Sequence, residues 1–270
     1  MKDKEKNNIF IFGAKTTGPS HIKSGLPCQD AWHFEIFDDD SAVLAVSDGL
    51  GSAVHSKTGA KTAVFAAVES VGRHFLVSYD KNCRSADLTK NDAIVKEAFS
   101  SAVKSIQDYS KKNEIPAREL ACTLIVVFIY KGFVTTGQIG DGAVVGQFFS
   151  GDIKLLSKPQ YSEYINEVTP ITAENAADRL IVNANIKNVK NIAAFTDGCQ
   201  RAVLVKENGI HSPFMPFFKP LFSYSQSAKD SDEASEDVKN LLLSKKINEV
   251  SDDDKTLVIA ALRKEIARDI

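Results

Sequence analysis

Apolar residues recur along this chain in two rhythms. Short runs rich in β-branched and aromatic side chains occupy residues 9–14, 32–38, 42–47, 123–130, 132–139, 143–149, 192–196 and 256–261, and each predicts a strand. Longer stretches repeat their apolar residues three and four positions apart. Ala60, Ala63, Val64, Ala67, Val68 and Val71 do so within residues 56–75, and Ile94, Val95, Ala98, Phe99, Ala102, Val103 and Ile106 within residues 92–111. Each predicts a helix with one buried stripe, and Ala234, Val238, Leu241 and Leu242 predict a third over residues 233–245.

The links at residues 37–41 and at Tyr130-Lys131-Gly132 are long enough for hairpins and too short for helical crossovers. The expected class is therefore α+β, with mainly antiparallel sheets flanked by helices that bury all three stripes. Residues 1–270 read as one domain with a short polar tail over 1–8. Weakly patterned residues about 157–180, and Phe-, Pro- and Ser-rich residues about 207–231, are expected as excursions from that frame. In the second, Phe214, Phe217, Phe218, Phe222 and Tyr224 are expected to anchor the excursion to the core.

Composition narrows the functional classes. The 270 residues are 43% apolar and 25% charged, which supplies a substantial core and argues against disorder. A net charge of -2 offers no general attraction to nucleic acid or anionic lipid. The polar first residues and the short apolar run behind them predict neither a signal segment nor a membrane span, so a cytoplasmic protein is expected. Cys28, Cys83, Cys122 and Cys199 are widely spaced, which predicts reduced, mostly buried thiols.

Chemistry enters with the carboxylates. Asp48 follows the apolar run at 42–47 and precedes Gly49-Leu50-Gly51, and Asp197 repeats the arrangement before Gly198. Asp141 stands in Gly140-Asp141-Gly142, and Asp252-Asp253-Asp254 opens the last strand. One Asp-Gly after a strand is ordinarily a turn. A cluster formed by several such strand ends would repel itself by about 4 kcal/mol per pair at 4 Å, so it needs cations. All-oxygen ligands suit Mg²⁺ or Mn²⁺.

In order and spacing, Cys28-Gln29-Asp30-Ala31, Ser47-Asp48-Gly49-Leu50-Gly51, Gly140-Asp141-Gly142, Thr196-Asp197-Gly198 and Asp253-Asp254-Lys255-Thr256 resemble the motifs of the type 2C (PPM) protein phosphatases, bacterial branch. The resemblance implies a four-layer αββα sandwich that hydrolyses phosphoserine and phosphothreonine on proteins with a water bridging two divalent metals. It implies that Asp48 bridges both ions, that the Gly49 carbonyl binds one, that Asp197 and Asp253 bind the other, and that Asp30 holds outer-shell water. Asp141, with Asp197, matches a third and weaker site.

Three positions depart from the family pattern. Gln29 stands where many members carry Glu, Leu50 where eukaryotic members place a His, and Gly25 where a phosphate-binding Arg is expected. His55 is a nearby alternative proton donor. His21, and after it Lys23, are candidates to meet the substrate phosphate. Residues 162–169 occupy the place of the family's variable flap, expected to shape substrate choice. The partner implied is a phosphorylated protein served by a serine/threonine kinase, with the chain acting as a monomer. The alternative reading, motivated by the three departures, is a phosphoprotein-binding regulatory pseudophosphatase.

Overall fold

The computed structural model describes residues 8–78, 88–160 and 168–263. The strands are β1 (Ile9–Thr16), β2 (Ala31–Asp38), β3 (Ser41–Ser47), β4 (Leu124–Tyr130), β5 (Phe133–Ile139) and β6 (Ala143–Phe148). They continue as β7 (Ile153–Ser157), β8 (Ile181–Lys187), β9 (Val189–Phe195), β10 (Leu204–Glu207), β11 (Ile210–Pro213) and β12 (Lys255–Leu262). The helices are α1 (Pro19–Ser24), α2 (Ser56–Ser78), α3 (Asn91–Asn113), α4 (Ala176–Arg179), α5 (Gln200–Val203), α6 (Met215–Ser227), α7 (Ser231–Leu242) and α8 (Lys245–Asn248).

Two five-stranded sheets carry the fold, ordered β2-β3-β4-β5-β8 and β1-β12-β9-β6-β7, and every described pairing within them is antiparallel. The apolar alternation sorts itself into three buried layers. Ala42, Leu44 and Val46 of β3 meet Ile192, Ala194, Val258 and Ala260 between the sheets. Val43 and Ala45, on the other face of β3, pack under Ala63, Val64 and Ala67 of α2 and Val95 and Ala98 of α3. Phe195 and Ile259 face Phe218 and Phe222 of α6 and Ala234 and Val238 of α7. This is the expected four-layer arrangement, and its central strands read as continuous apolar runs because both of their faces are buried.

Several expectations need correction. Residues 215–227 are not an excursion but helix α6, which roofs one sheet. Pro216 in its first turn and Pro220 inside it mask the helical signal. The anchoring role expected of the aromatics holds for Phe218 and Phe222, which are fully buried, and in part for Phe217 and Tyr224, which pack against the same cluster, but not for Phe214, which is 40% exposed. Strand β8 was not expected, because Asn183 and Asn185 dilute its apolar alternation. The helix expected over 233–245 stops at Leu242, and Lys245 begins a separate turn of helix. Cys122 and Cys199 are buried and free as expected, whereas Cys83 lies outside the described residues. The tail 1–7 and most of the expected flap, 161–167, lie outside them too. Among the described residues no helix is long and apolar enough to cross a membrane.

Candidate metal centre

Register explains why distant aspartates meet. Phe195 of β9 pairs with Ala143 of β6 on one side and with Leu257 of β12 on the other. Asp141 just before β6, Asp197 just after β9 and Asp253 just before β12 therefore reach one edge of the sheet. Asp48 leaves β3, in the facing sheet, at the same end. Its backbone N–H donates to Thr123 Oγ1 at 2.9 Å and its carbonyl accepts from Thr123 N–H at 2.8 Å, which fixes the turn against the start of β4.

Carboxylate oxygens of Asp48, Asp141 and Asp197 lie within 4.8 Å of one another. Asp253 is not one of that trio, but its charge acts on all three. Asp30 sits behind them, fully buried, its Oδ2 accepting from Thr196 Oγ1 at 2.8 Å and Thr256 Oγ1 at 2.7 Å. Burial first, and the neighbouring aspartates second, hold the Asp48 and Asp197 carboxyls well above the usual range. Burial likewise raises Asp30 and Asp141 to about 6.

Those carboxylates fit divalent cations on two further counts. Asp30 Oδ1, Asp141 Oδ1 and Gln29 Oε1 are buried without a hydrogen-bond partner, each an acceptor whose desolvation is uncompensated by protein. The backbone also closes tightly around the ring: a Cβ on Gly49 would stand 2.8 Å from the Gln29 carbonyl oxygen, and one on Gly198 only 1.8 Å from that of Asp254. The glycines after Asp48 and Asp197 are thus required by close approach.

Several positioning groups were missed by sequence reasoning. Gln138, fully buried, donates through Nε2 to the carbonyls of Gly140, Gly142 and Lys158, and so holds the turn that presents Asp141. Gln200 Nε2 donates to the Asp141 carbonyl at 2.5 Å. Two ammonium groups brace the acidic edge: Lys255 Nζ donates to the Asp253 carbonyl at 2.8 Å and Lys15 Nζ to that of Asp30 at 2.6 Å. For the hydroxyls that hold Asp30, the sequence signal available was the threonines beside two of the aspartate turns, in Thr196-Asp197 and Asp253-Asp254-Lys255-Thr256.

Around the centre, His21 lies on α1, its side chain 15% exposed and its Nδ1 2.8 Å from Asp254 Oδ2. Lys23 and His55 are exposed, so the candidates expected for the substrate side are not equally held. Gly140, Lys158, Gln160 and Arg179 line a cavity of about 450 Å³ next to the Asp141 turn.

Comparison with known proteins agrees with this geometry. The family model described as Protein phosphatase 2C matches residues 17–243. Serine/threonine-protein phosphatase 3 of Escherichia coli (strain K12) is 33% identical over 253 residues, covering 92% of this chain and 96% of that protein. Among solved structures, a bacterial serine phosphatase superposes with a TM-score of 0.62 at 12% identity, over 95% of this chain and 98% of that one. Stp1 of Staphylococcus aureus gives 0.59 at 11% identity, over 98% of both chains. The last two speak for the fold alone. Sequence identity with the Escherichia coli enzyme and the span of the family match make the assignment, and the chain is a member of the protein phosphatase 2C family.

Proposed function

We propose that this chain hydrolyses phosphoserine and phosphothreonine esters on proteins at the carboxylate edge, as a single catalytic domain that works as a cytoplasmic monomer opposite a serine/threonine kinase. The observation that carries the reading is the convergence of Asp48, Asp141 and Asp197 with buried, unpartnered oxygens around them. Asp48, the Gly49 carbonyl, Asp197 and Asp253 would hold two Mg²⁺ or Mn²⁺ ions, with Asp141 and Asp197 serving a weaker third. Bound there, such ions supply the positive charge that acidifies water and neutralises phosphoryl oxygens.

The chain's own residues do the rest. Asp30, fixed by Thr196 and Thr256, orients water at the centre through its free Oδ1, and Gln29 Oε1 offers a second acceptor there. His21 meets the substrate phosphate from the side, where Lys23 adds only diffuse charge. The cavity beside Gly140 supports a role for the flap region in substrate choice.

Hydrolysis of p-nitrophenyl phosphate and of a phosphothreonine peptide with Mn²⁺, with Asp48→Asn as control, tests this. Metal-dependent turnover that vanishes in the control is expected, with nucleotides poor substrates. Phosphopeptide binding without turnover would instead establish the regulatory reading. His21→Ala should raise KM for the peptide, and unchanged kinetics would remove His21 from the site.

A further inference from the structure

Asp254 is the buried member of the acidic triplet, and one stretch of chain consumes its carboxylate. Oδ1 accepts from the Gly18 N–H at 2.8 Å, while Oδ2 lies 2.6 Å from the Gln29 N–H and 2.8 Å from His21 Nδ1. A carboxylate with three close donors, 2% exposed, has little left to offer a cation. Asp253, exposed and adjacent, remains the ligand candidate; its Oδ1 accepts only the Asp254 N–H among the described residues.

The same bonds carry α1. This six-residue helix has no buried side chain, so no core packing holds it in place. What ties it down is polar: Gly18 and His21 to the Asp254 carboxylate, and the Ser20 N–H and Oγ to the Asp252 carbonyl at 3.0 and 2.8 Å. His21 Nε2 has no partner among the described residues, so the ring is gripped at one nitrogen and free at the other.

We propose that Asp254 is a positioning residue, which holds His21 by Nδ1 so that Nε2 faces the substrate phosphate, and that it touches neither metal nor substrate itself. This rests on the reading of His21 as the phosphate-binding group. A carboxylate behind an imidazole fixes ring orientation and favours a proton on the near nitrogen. With both nitrogens protonated, His21 spans the two anions, donating backward to Asp254 and forward to a phosphoryl oxygen.

The test is a double-variant cycle of Asp254→Asn and His21→Ala, read by calorimetric orthophosphate binding to Mn²⁺-loaded protein and by phosphopeptide kinetics. Asn preserves volume and one acceptor for the Gly18 or Gln29 N–H. Asp254→Asn should weaken orthophosphate binding and raise KM by about tenfold, with kcat and Mn²⁺ affinity moved far less. In the His21→Ala background it should add nothing. Additive losses, or unchanged orthophosphate affinity, would overturn the proposal. Should Asp254→Asn fold poorly, nitrogen-15 shifts of His21 in the metal-free wild type still decide: Nδ1 protonated and hydrogen-bonded supports the pairing, and a ring protonated only at Nε2 refutes it. Wild-type protein that binds orthophosphate through His21 yet never turns over a phosphoester would sink the enzymatic reading while leaving this one standing.

Discussion

The floor of the centre and its rim are built on opposite principles. The floor consists of carboxylates at the ends of strands that are buried on both faces, each turn fixed by a hydroxyl or amide reached across the sheet edge. The rim is α1 with no buried side chain, and a loop after Gly49 whose Val54 is 78% exposed. Core packing fixes the floor so firmly that like charges are held together against their repulsion. A few polar bonds fix the rim, so it can yield to a bulky substrate. The floor stores electrostatic cost that cations relieve, whereas the rim stores none.

Removing a floor carboxylate should separate function from stability most widely. Asp48→Asn is expected to lower kcat on the order of 10³-fold, as losing a preorganised charge does. The same change should raise the melting temperature of the metal-free protein, because burial and four neighbouring aspartates disfavour the Asp48 charge. Parallel activity and thermal-melt measurements check both halves. A destabilised metal-free variant would mean that the floor is not strained.

The next effect is on pH. Carboxyls whose folded values are raised bind protons more tightly when folded, so their stabilisation is present below the unfolded value and is lost as pH climbs through the folded one. For Asp30 and Asp141 that window runs from 3.8 to about 6, and Asp48 and Asp197 extend it upward. The Asp30 rise alone corresponds to about 3 kcal/mol. Metal-free protein should therefore melt higher at pH 5 than at pH 8, and Mn²⁺ at pH 8 should remove most of the difference. Denaturant titrations in chelator at both pH values would settle it, and a flat profile would contradict the strain.

The same contrast explains what was legible in the sequence. Strands β3, β9 and β12 announced themselves because burial on both faces leaves uninterrupted apolar runs, and the Asp-Gly pairs after β3 and β9 marked their ends. β8 hid because its asparagines break the alternation, with Asn185 in left-handed backbone at φ 56 where the strand shifts register against β5. α6 hid behind its prolines. The aspartates that cluster at the sheet edge stood out by their neighbours in sequence, but their supports did not. Thr196 reaches Asp30 across 166 residues, and Asp254 reaches Gly18 across 236, so only knowing which strands adjoin reveals them.

One of those supports gives a smaller effect. Thr256→Val keeps the shape of β12 and deletes one of two hydroxyls on Asp30 Oδ2. Metal affinity or kcat should fall about tenfold, the usual scale for an outer-shell partner, with little change in KM. Calorimetric Mn²⁺ titration distinguishes this from a packing defect, which would lower the melting temperature and leave Mn²⁺ affinity intact.

The smallest effect belongs to the other histidine near the rim. His55 is anchored by its backbone, whose N–H donates to the Glu119 carbonyl at 2.8 Å, while its side chain is exposed. A proton donor must be aimed at the leaving oxygen, and aim requires a partner on the ring's far nitrogen. His21 has one in Asp254; no described residue supplies one to His55. His55→Ala should then behave as an ordinary surface change, moving kcat and KM by less than about twofold. Steady-state rates across pH check this. A tenfold fall in kcat with loss of one pH limb would show that the loop after Gly49 is organised by substrate, and that the rim is less passive than its bonding in the free protein implies.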